Sequence, residues 1–353
     1  MTDHAQRAKR IGCYVLPGGV TDPKKGLEQA QTAEAIGLGT VWIGERYDTK
    51  DLPSLAGAIS ALTTKVTIAA GITHQGLRHP MVLGSMGQTL QAISDNRFVM
   101  GFGRSASWRW RQYGAPAPTL QSMADMADIL RRLWAGETVA YDGQLGTFPE
   151  LRLAQRAAIT PPPLLLAAVG PKTLELAGRS FDGVILHPFL TPDAVRRSMD
   201  RVRQAAKDAG RDPSSIRCTA TVIVAPGRTD HDTAMAVGAR AAGYFQLPGL
   251  GDSLAAANQW SPDDLAKYRS QPEFVALGAR SADKALSREK LIELSRAMPE
   301  SWLPSSSAIG PPAECAATLR EYLAAGADDL ILHGSTAEYL SPMIDAYVAQ
   351  GGT

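Results

Sequence analysis

Cysteine is scarce in this sequence: Cys13, Cys218 and Cys315 are the only three in 353 residues, and none stands in C-x-x-C spacing. An odd number of widely separated thiols cannot all pair within one chain and fits neither a disulfide framework nor a zinc knuckle, so a reduced, cytoplasmic setting is expected. An excess of charge is lacking as well. The net charge is +1 and 20% of residues are charged, which offers no global attraction to nucleic acid or to an anionic membrane surface. The longest apolar runs, such as residues 164–169, are too short to span a bilayer, and residues 1–10 are polar, without the apolar centre of a secretory signal. The six histidines never take metal-ligand spacing, and no G-x-x-x-x-G-K-[ST], H-E-x-x-H or G-x-S-x-G occurs. Nucleotide hydrolysis on a P-loop, zinc catalysis and serine hydrolysis are thereby disfavoured. A small-molecule substrate is expected, with no metal, no nucleic acid and no membrane.

What is present is alternation. Short apolar runs at 11–16, 40–43, 66–70, 98–102, 164–168, 183–187, 218–224 and 329–333 read as buried parallel strands. Between them lie helical patterns at 26–36, 52–62, 80–91, 119–134, 192–209 and 312–325. Eight repeats of strand and helix favour a (β/α)8 TIM barrel in α/β class over an open doubly wound sheet, as a single domain over 1–353. Residues 139–153, centred on Tyr141-Asp142-Gly143-Gln144, read as an excursion hairpin. Residues 247–307, broken into short pieces with Trp260, Tyr268, Phe274 and Trp302 among them, read as an inserted helical segment, either a cover over the site or a permanently packed surface.

The most informative stretch is 92–114. A buried strand ends there in Gly101-Phe102-Gly103 and opens into a loop mixing Trp108 and Trp110 with Arg104, Arg109 and Arg111. In a barrel, catalytic groups come from the loops after the strands, so a glycine-bounded strand end feeding an aromatic and cationic loop is where a flat ligand would be met. A crowded strand end with no ligand is the alternative role for these glycines. The Gly-x-Gly follows the fourth strand and lacks a third glycine, which excludes a Rossmann fingerprint. Residues Val169-Gly170-Pro171-Lys172 open a helix after the fifth strand, and place backbone N–H groups and a positive dipole end where a phosphate could bind.

Several pieces, in order along the chain, resemble the luciferase-like family of flavin and deazaflavin oxidoreductases. They are Ala33-Glu34-Ala35-Ile36-Gly37-Leu38-Gly39-Thr40-Val41-Trp42-Ile43-Gly44-Glu45, Ala70-Gly71-Ile72 with Arg78-His79-Pro80, and Ser94-Asp95-Asn96-Arg97-Phe98-Val99-Met100-Gly101-Phe102-Gly103. Ala167-Ala168-Val169-Gly170-Pro171-Lys172-Thr173 with Asp182-Gly183, and Ala308-Ile309-Gly310-Pro311-Pro312 with Gly326-Ala327-Asp328-Asp329, complete the set. The resemblance implies a barrel with a flavin-shaped ring across its C-terminal mouth and a phosphate tail near the later strands. It also implies a cis peptide at Gly71-Ile72, a bulge that supports the ring, and a homodimer. Cofactor-binding residues expected on this basis are Gly71, Ile72, Gly101, Gly103, Arg104, Val169, Gly170, Pro171, Lys172 and His333.

The sequence looks more like the branch that uses coenzyme F420 as a hydride carrier; flavin mononucleotide (FMN) with dioxygen is the alternative. It departs from the glucose-6-phosphate dehydrogenases of that branch, which have an Asp-His pair after strand two and a Glu beyond the Gly-x-Gly. Here those positions hold Glu45-Arg46 and Ala106. A guanidinium cannot accept a proton and alanine has no acid to give, which argues against sugar-phosphate oxidation by that route. His74 and Glu45 are then the candidate catalytic groups, His74 because its ordinary pKa lies near neutrality. Trp108, Arg109 and Tyr113 are the candidate substrate pocket. A protein that binds the cofactor without catalysis stays open beside the enzyme reading.

Overall fold

A computed structural model describes residues 7–18, 20–105, 107–278 and 280–352, without the side chains of residues 107 and 108. The chain divides into two compact units, residues 1–185 with 201–217, and residues 186–200 with 218–353.

The first unit alternates strand and helix as the apolar spacing predicts. Its elements are β1 (Ala8–Val15), α1 (Lys24–Ala35), β2 (Leu38–Ile43), α2 (Leu52–Leu62), β3 (Thr67–Thr73), α3 (Pro80–Ile93) and β4 (Phe98–Phe102). After these come α4 (Ser107–Tyr113), α5 (Leu120–Ala135), the antiparallel pair β5 (Val139–Gly143) and β6 (Gly146–Leu151), β7 (Leu164–Ala168), α6 (Pro171–Ser180) and β8 (Gly183–Leu186). The sheet order is β1-β2-β3-β4-β7-β8, so the hairpin is an excursion from the repeat, as expected. Helix starts follow local chemistry. Asp51 accepts the Ser54 N–H at the start of α2, Pro80 sits in the first turn of α3, and Thr119 and Ser122 form a reciprocal capping box on α5, which stops at the left-handed Gly136.

Acidic side chains set where strands begin. Glu34 accepts the Val66 N–H (2.9 Å) just before β3, and Asp182 accepts the Leu164 N–H (2.8 Å) at the start of β7. Several residues that carry the family resemblance therefore act in strand registration.

Helix α7 (Pro192–Asp208) joins the two units. The second unit holds β9 (Arg217–Pro226), α8 (Asp230–Thr233), a π-helical turn at Ala234–Gly238 and α9 (Ala239–Gln246). Six short helices follow, α10 (Leu250–Asn258), α11 (Pro262–Arg269), α12 (Pro272–Leu277), α13 (Ala282–Ala285), α14 (Arg288–Ser295) and α15 (Trp302–Ser305). Its aromatics form its own core: Trp260 and Trp302 stack at 4.5 Å, with Phe245 5.3 Å from Trp302. The unit closes with β10 (Ser307–Gly310), α16 (Pro312–Ala324), β11 (Asp329–His333) and α17 (Ser341–Ala349). Asp328 accepts the Cys218 N–H (2.7 Å), the same device again.

Strand β10 was not anticipated. Residues 219–223 of β9 pair with β11 and residues 223–226 pair with β10, so one long strand serves two partners in turn. Four residues are too few to show a period, which is why the sequence hides β10. Setting that strand aside, β1, β2, β3, β4, β7, β8, β9 and β11 are the eight strands of a (β/α)8 barrel, each followed by helix. Among the described residues no helix is long and apolar enough to cross a membrane.

Candidate active site

The candidate site of the first unit is built on the ends of β2, β3 and β4. Strand β3 runs through Thr73, beyond the expected end at Ala70, and its pairing with β4 shifts register between Ala70 and Thr73. The Gly71–Ile72 peptide within that shift is cis, as the resemblance implies. The bulge is held from three sides. Tyr14 donates to the Gly71 carbonyl (2.8 Å), the Glu45 N–H to the Ile72 carbonyl (3.0 Å), and the Gly103 N–H to the Thr73 carbonyl (3.3 Å).

Packing crowds each glycine here, most firmly Gly101, whose Cβ would meet backbone. A Cβ on Gly71 would stand 2.8 Å from the Trp42 ring, one on Gly101 2.3 Å from the Ala70 carbonyl oxygen, and one on Gly103 1.7 Å from the Ile72 side chain. Strand crowding thus accounts for Gly101 and Gly103 without a ligand, the plainer of the two readings.

Glu45, at the end of β2, is buried and fully engaged. Its Oε1 accepts from the Leu52 N–H (3.2 Å) and Arg78 Nη2 (3.1 Å), and its Oε2 from the Thr73 hydroxyl (2.8 Å) and Arg78 Nε (3.2 Å). A carboxylate holding four donors has no lone pair aimed at a substrate, and this geometry fits a positioning residue rather than the catalytic group expected of it. Arg78, from the Arg78-His79-Pro80 piece of the family resemblance, is the hub. It also reaches Asp51 (3.1 Å) and lies 5.7 Å from the centre of the Tyr47 ring.

His74 begins the loop after β3 and is 4% exposed. Its Nδ1 is buried with no hydrogen-bond partner among the described residues. Burial first, then the cations of Arg109 and Arg78, push its pKa down to about 4, so the ring is neutral at pH 7. Trp110 lies edge-on at 5.4 Å, and the Tyr47 hydroxyl donates to the His74 carbonyl (3.0 Å). Tyr47 in turn meets Tyr113 edge-on at 6.0 Å, and burial followed by the Glu45 charge raises its phenol well above the usual range. Tyr47 is a further residue that sequence reasoning passed over. The available signal was its place two residues after Glu45 at a strand end.

The stretch expected to be a loop from Arg104 to Tyr113 is instead helix α4 from Ser107 onward. Trp110 explains it: the indole N–H donates to the Arg104 carbonyl (2.6 Å), the ring is 1% exposed, and a Cβ on Gly76 would come within 2.6 Å of it. Gly114, with φ +64, stops the helix. Of the anticipated pocket, Arg109 acts electrostatically on His74 and Tyr113 is half-buried against Tyr47, whereas the Trp108 side chain and Ala106 lie outside the described residues. Arg104 is exposed, and its Nε donates to the Pro118 carbonyl (3.2 Å).

Helix α6 starts where expected. Gly170 is its N-cap residue, followed by Pro171 in the first turn, and a Cβ on Gly170 would meet nothing within 4 Å. Val169 is half-buried and Lys172 exposed. The helix has 10 residues, and the space beside its N-cap Gly170 is open, with the exposed Lys172 in its first turn.

In the second unit His333 ends β11, 8% exposed. Its Nε2 lies 3.1 Å from Arg240 Nη1 and its Nδ1 3.0 Å from the Gly334 N–H. Both neighbours are donors and a neutral imidazole has one lone pair to offer, so one tautomer satisfies only one of these contacts. Also in this unit, His187 donates from Nδ1 to the Pro188 carbonyl (3.0 Å), and burial depresses its pKa to about 4. Among the described residues no three His, Cys, Asp or Glu side chains gather as metal ligands.

Comparison with known proteins agrees with this architecture. The chain is 25% identical over 307 residues, covering 86% of itself and 87% of its relative, to the 5,10-methylenetetrahydromethanopterin reductase of Methanolobus tindarius. It is 22% identical over 332 residues, 88% and 89% of the two chains, to the F420-dependent glucose-6-phosphate dehydrogenase of Amycolatopsis mediterranei. The solved structure of the coenzyme F420-dependent tetrahydromethanopterin reductase from Methanopyrus kandleri superposes over 98% of both chains with a TM-score of 0.75 at 19% identity, which shows a shared fold. The pattern of the luciferase-like monooxygenases matches residues 7–329, and with strand order and strand-end site in agreement the chain belongs to that family.

Proposed function

We propose that this protein is an oxidoreductase that transfers hydride between coenzyme F420 and a small organic substrate. The observation that carries the reading is His74, buried and uncharged with an unpartnered Nδ1, set beside two arginines at the C-terminal ends of the strands. Two of the compared proteins bear F420 dependence in their names, and similarity to them spans nearly the whole chain.

The residues present fit such a coenzyme. The open approach at Gly170 and Lys172 suits a phosphate, and the β3 bulge at Gly71 and Ile72, backed by Gly103, is a shelf for a flat ring. When bound, the coenzyme gives or takes the hydride. The chain's own part is placement and proton handling. Glu45 fixes Arg78; burial first, then the charges of Arg109 and Arg78, keep His74 neutral, and His74 presents a ring nitrogen that can accept a hydrogen bond from a substrate hydroxyl. With a pKa near 4 the ring is a weak base, so it serves to orient the hydroxyl and to take its proton only as hydride departs.

Fluorescence titration with coenzyme F420 and with FMN tests the proposal. Tight F420 binding, with turnover lost in His74→Ala at unchanged coenzyme affinity, is the expected result. Tight FMN binding with dioxygen consumption by the reduced complex would instead establish the monooxygenase reading, which the name of the family favours.

A further inference from the structure

We propose that Arg46 and Lys50 form a subsite for an oxyanion, a carboxylate or phosphate group carried by the substrate. The two residues are directly paired across a tight antiparallel bridge, closed by the Thr49 and Lys50 N–H groups donating to the Arg46 carbonyl (2.8 Å each). Directly opposed residues of this kind project their side chains to one face within about 5 Å of each other. The bridge lies in the loop between β2 and α2, at the same strand ends as Glu45.

Among the described residues neither cation has a counter-ion. Lys50 is 8% exposed, and of its three donors one is used, on the Leu16 carbonyl at the end of β1. Arg46 is half-buried, and among the described residues its guanidinium has neither ion pair nor hydrogen bond. The nearby acids are committed elsewhere: Glu45 and Asp51 both hold Arg78. Asp48 is exposed, and among the described residues the charge acting on Lys50 is that of Arg46. Burial and that like charge together push the Lys50 amine down to about 8. A sequestered cation beside a second cation is costly unless an anion joins them, and a carboxylate or phosphate satisfies both at once, with the guanidinium supplying its fork. An organic acid or phosphate ester is therefore the expected substrate class. Assigning the anion to the substrate rests on the coenzyme F420 reading above; the subsite itself does not.

Calorimetric titration of inorganic phosphate into coenzyme-free and F420-saturated protein tests this, with coenzyme affinity read separately by fluorescence. Phosphate should bind in both states, and about tenfold or more weakly in Arg46→Gln and in Lys50→Met, with coenzyme affinity unchanged within about twofold. Absence of phosphate binding, or wild-type binding in Arg46→Gln, overturns the subsite. Displacement of phosphate by the coenzyme overturns the substrate assignment and gives both cations to the coenzyme's own phosphate. If F420 fails to bind while phosphate binding remains sensitive to Arg46, the subsite stands and the coenzyme reading falls. Should Lys50→Met unfold, Arg46→Gln decides alone, because its side chain is half exposed.

Discussion

Two groups of buried polar side chains lie within a few residues of each other on the first unit and treat their charge in opposite ways. Around Glu45 every acceptor is filled: Arg78 twice, the Thr73 hydroxyl and the Leu52 N–H. Around His74 and Lys50 the accounts stay open, with an unpartnered Nδ1 on one and a single carbonyl for three donors on the other. Burial is similar in the two groups, so burial alone does not mark function. The difference is satisfaction. A saturated cluster fixes the loops in place, whereas an unsaturated one holds capacity for a ligand.

That contrast predicts where substitutions act. Glu45→Ala should have the largest effect, about 3–5 kcal/mol of unfolding free energy in denaturant titration, because the largely buried Arg78 loses its buried carboxylate and keeps only the exposed Asp51. A loss under about 1 kcal/mol would break the comparison. Gly71→Val comes next. Its branched side chain meets Trp42 and Tyr14, costs about 1–3 kcal/mol of stability, and should weaken coenzyme binding more than about tenfold in protein that remains folded.

Acid sensitivity sharpens the other side of the comparison. His74 titrates near 6.5 when unfolded and near 4 when folded, so the unfolded chain binds more protons between those values and stability falls as pH drops through that window. The loss from this group is about 2 kcal/mol at pH 5, and His74→Gln should remove it. An unaltered stability profile in that variant would mean the ring protonates freely in the folded protein. The smallest effect belongs to Lys172→Ala. Being exposed, Lys172 should change coenzyme affinity only a few-fold at low salt and not measurably at high salt.

Much of the fold could be read from the sequence, because apolar runs of four to eight residues alternating with amphipathic helices allow few architectures. The hairpin at 139–153, the start of α6 at Gly170-Pro171 and the helical nature of 250–305 were all legible from turn residues, proline placement and aromatic content. The site was legible by address only. His74, Glu45 and Arg109 were found because they stand after strand ends, but nothing in their order along the chain distinguishes an engaged carboxylate from an available one.

What the sequence determined by itself is therefore local: periodicity and helix caps, whereas the reach of Glu34, Asp182 and Asp328 to N–H groups 18 to 110 residues away belongs to the fold. Only the tertiary structure decided the roles of the polar residues. Arg78 lies 33 residues from Glu45 in sequence, yet sets that carboxylate's function by filling it, and Trp110 turns an expected loop into a helix by burying its ring against Gly76 and His74. The physical reason is that hydrogen-bond satisfaction is a property of three-dimensional neighbourhoods. Residue type states how many partners a group requires, and the fold alone determines whether it has them.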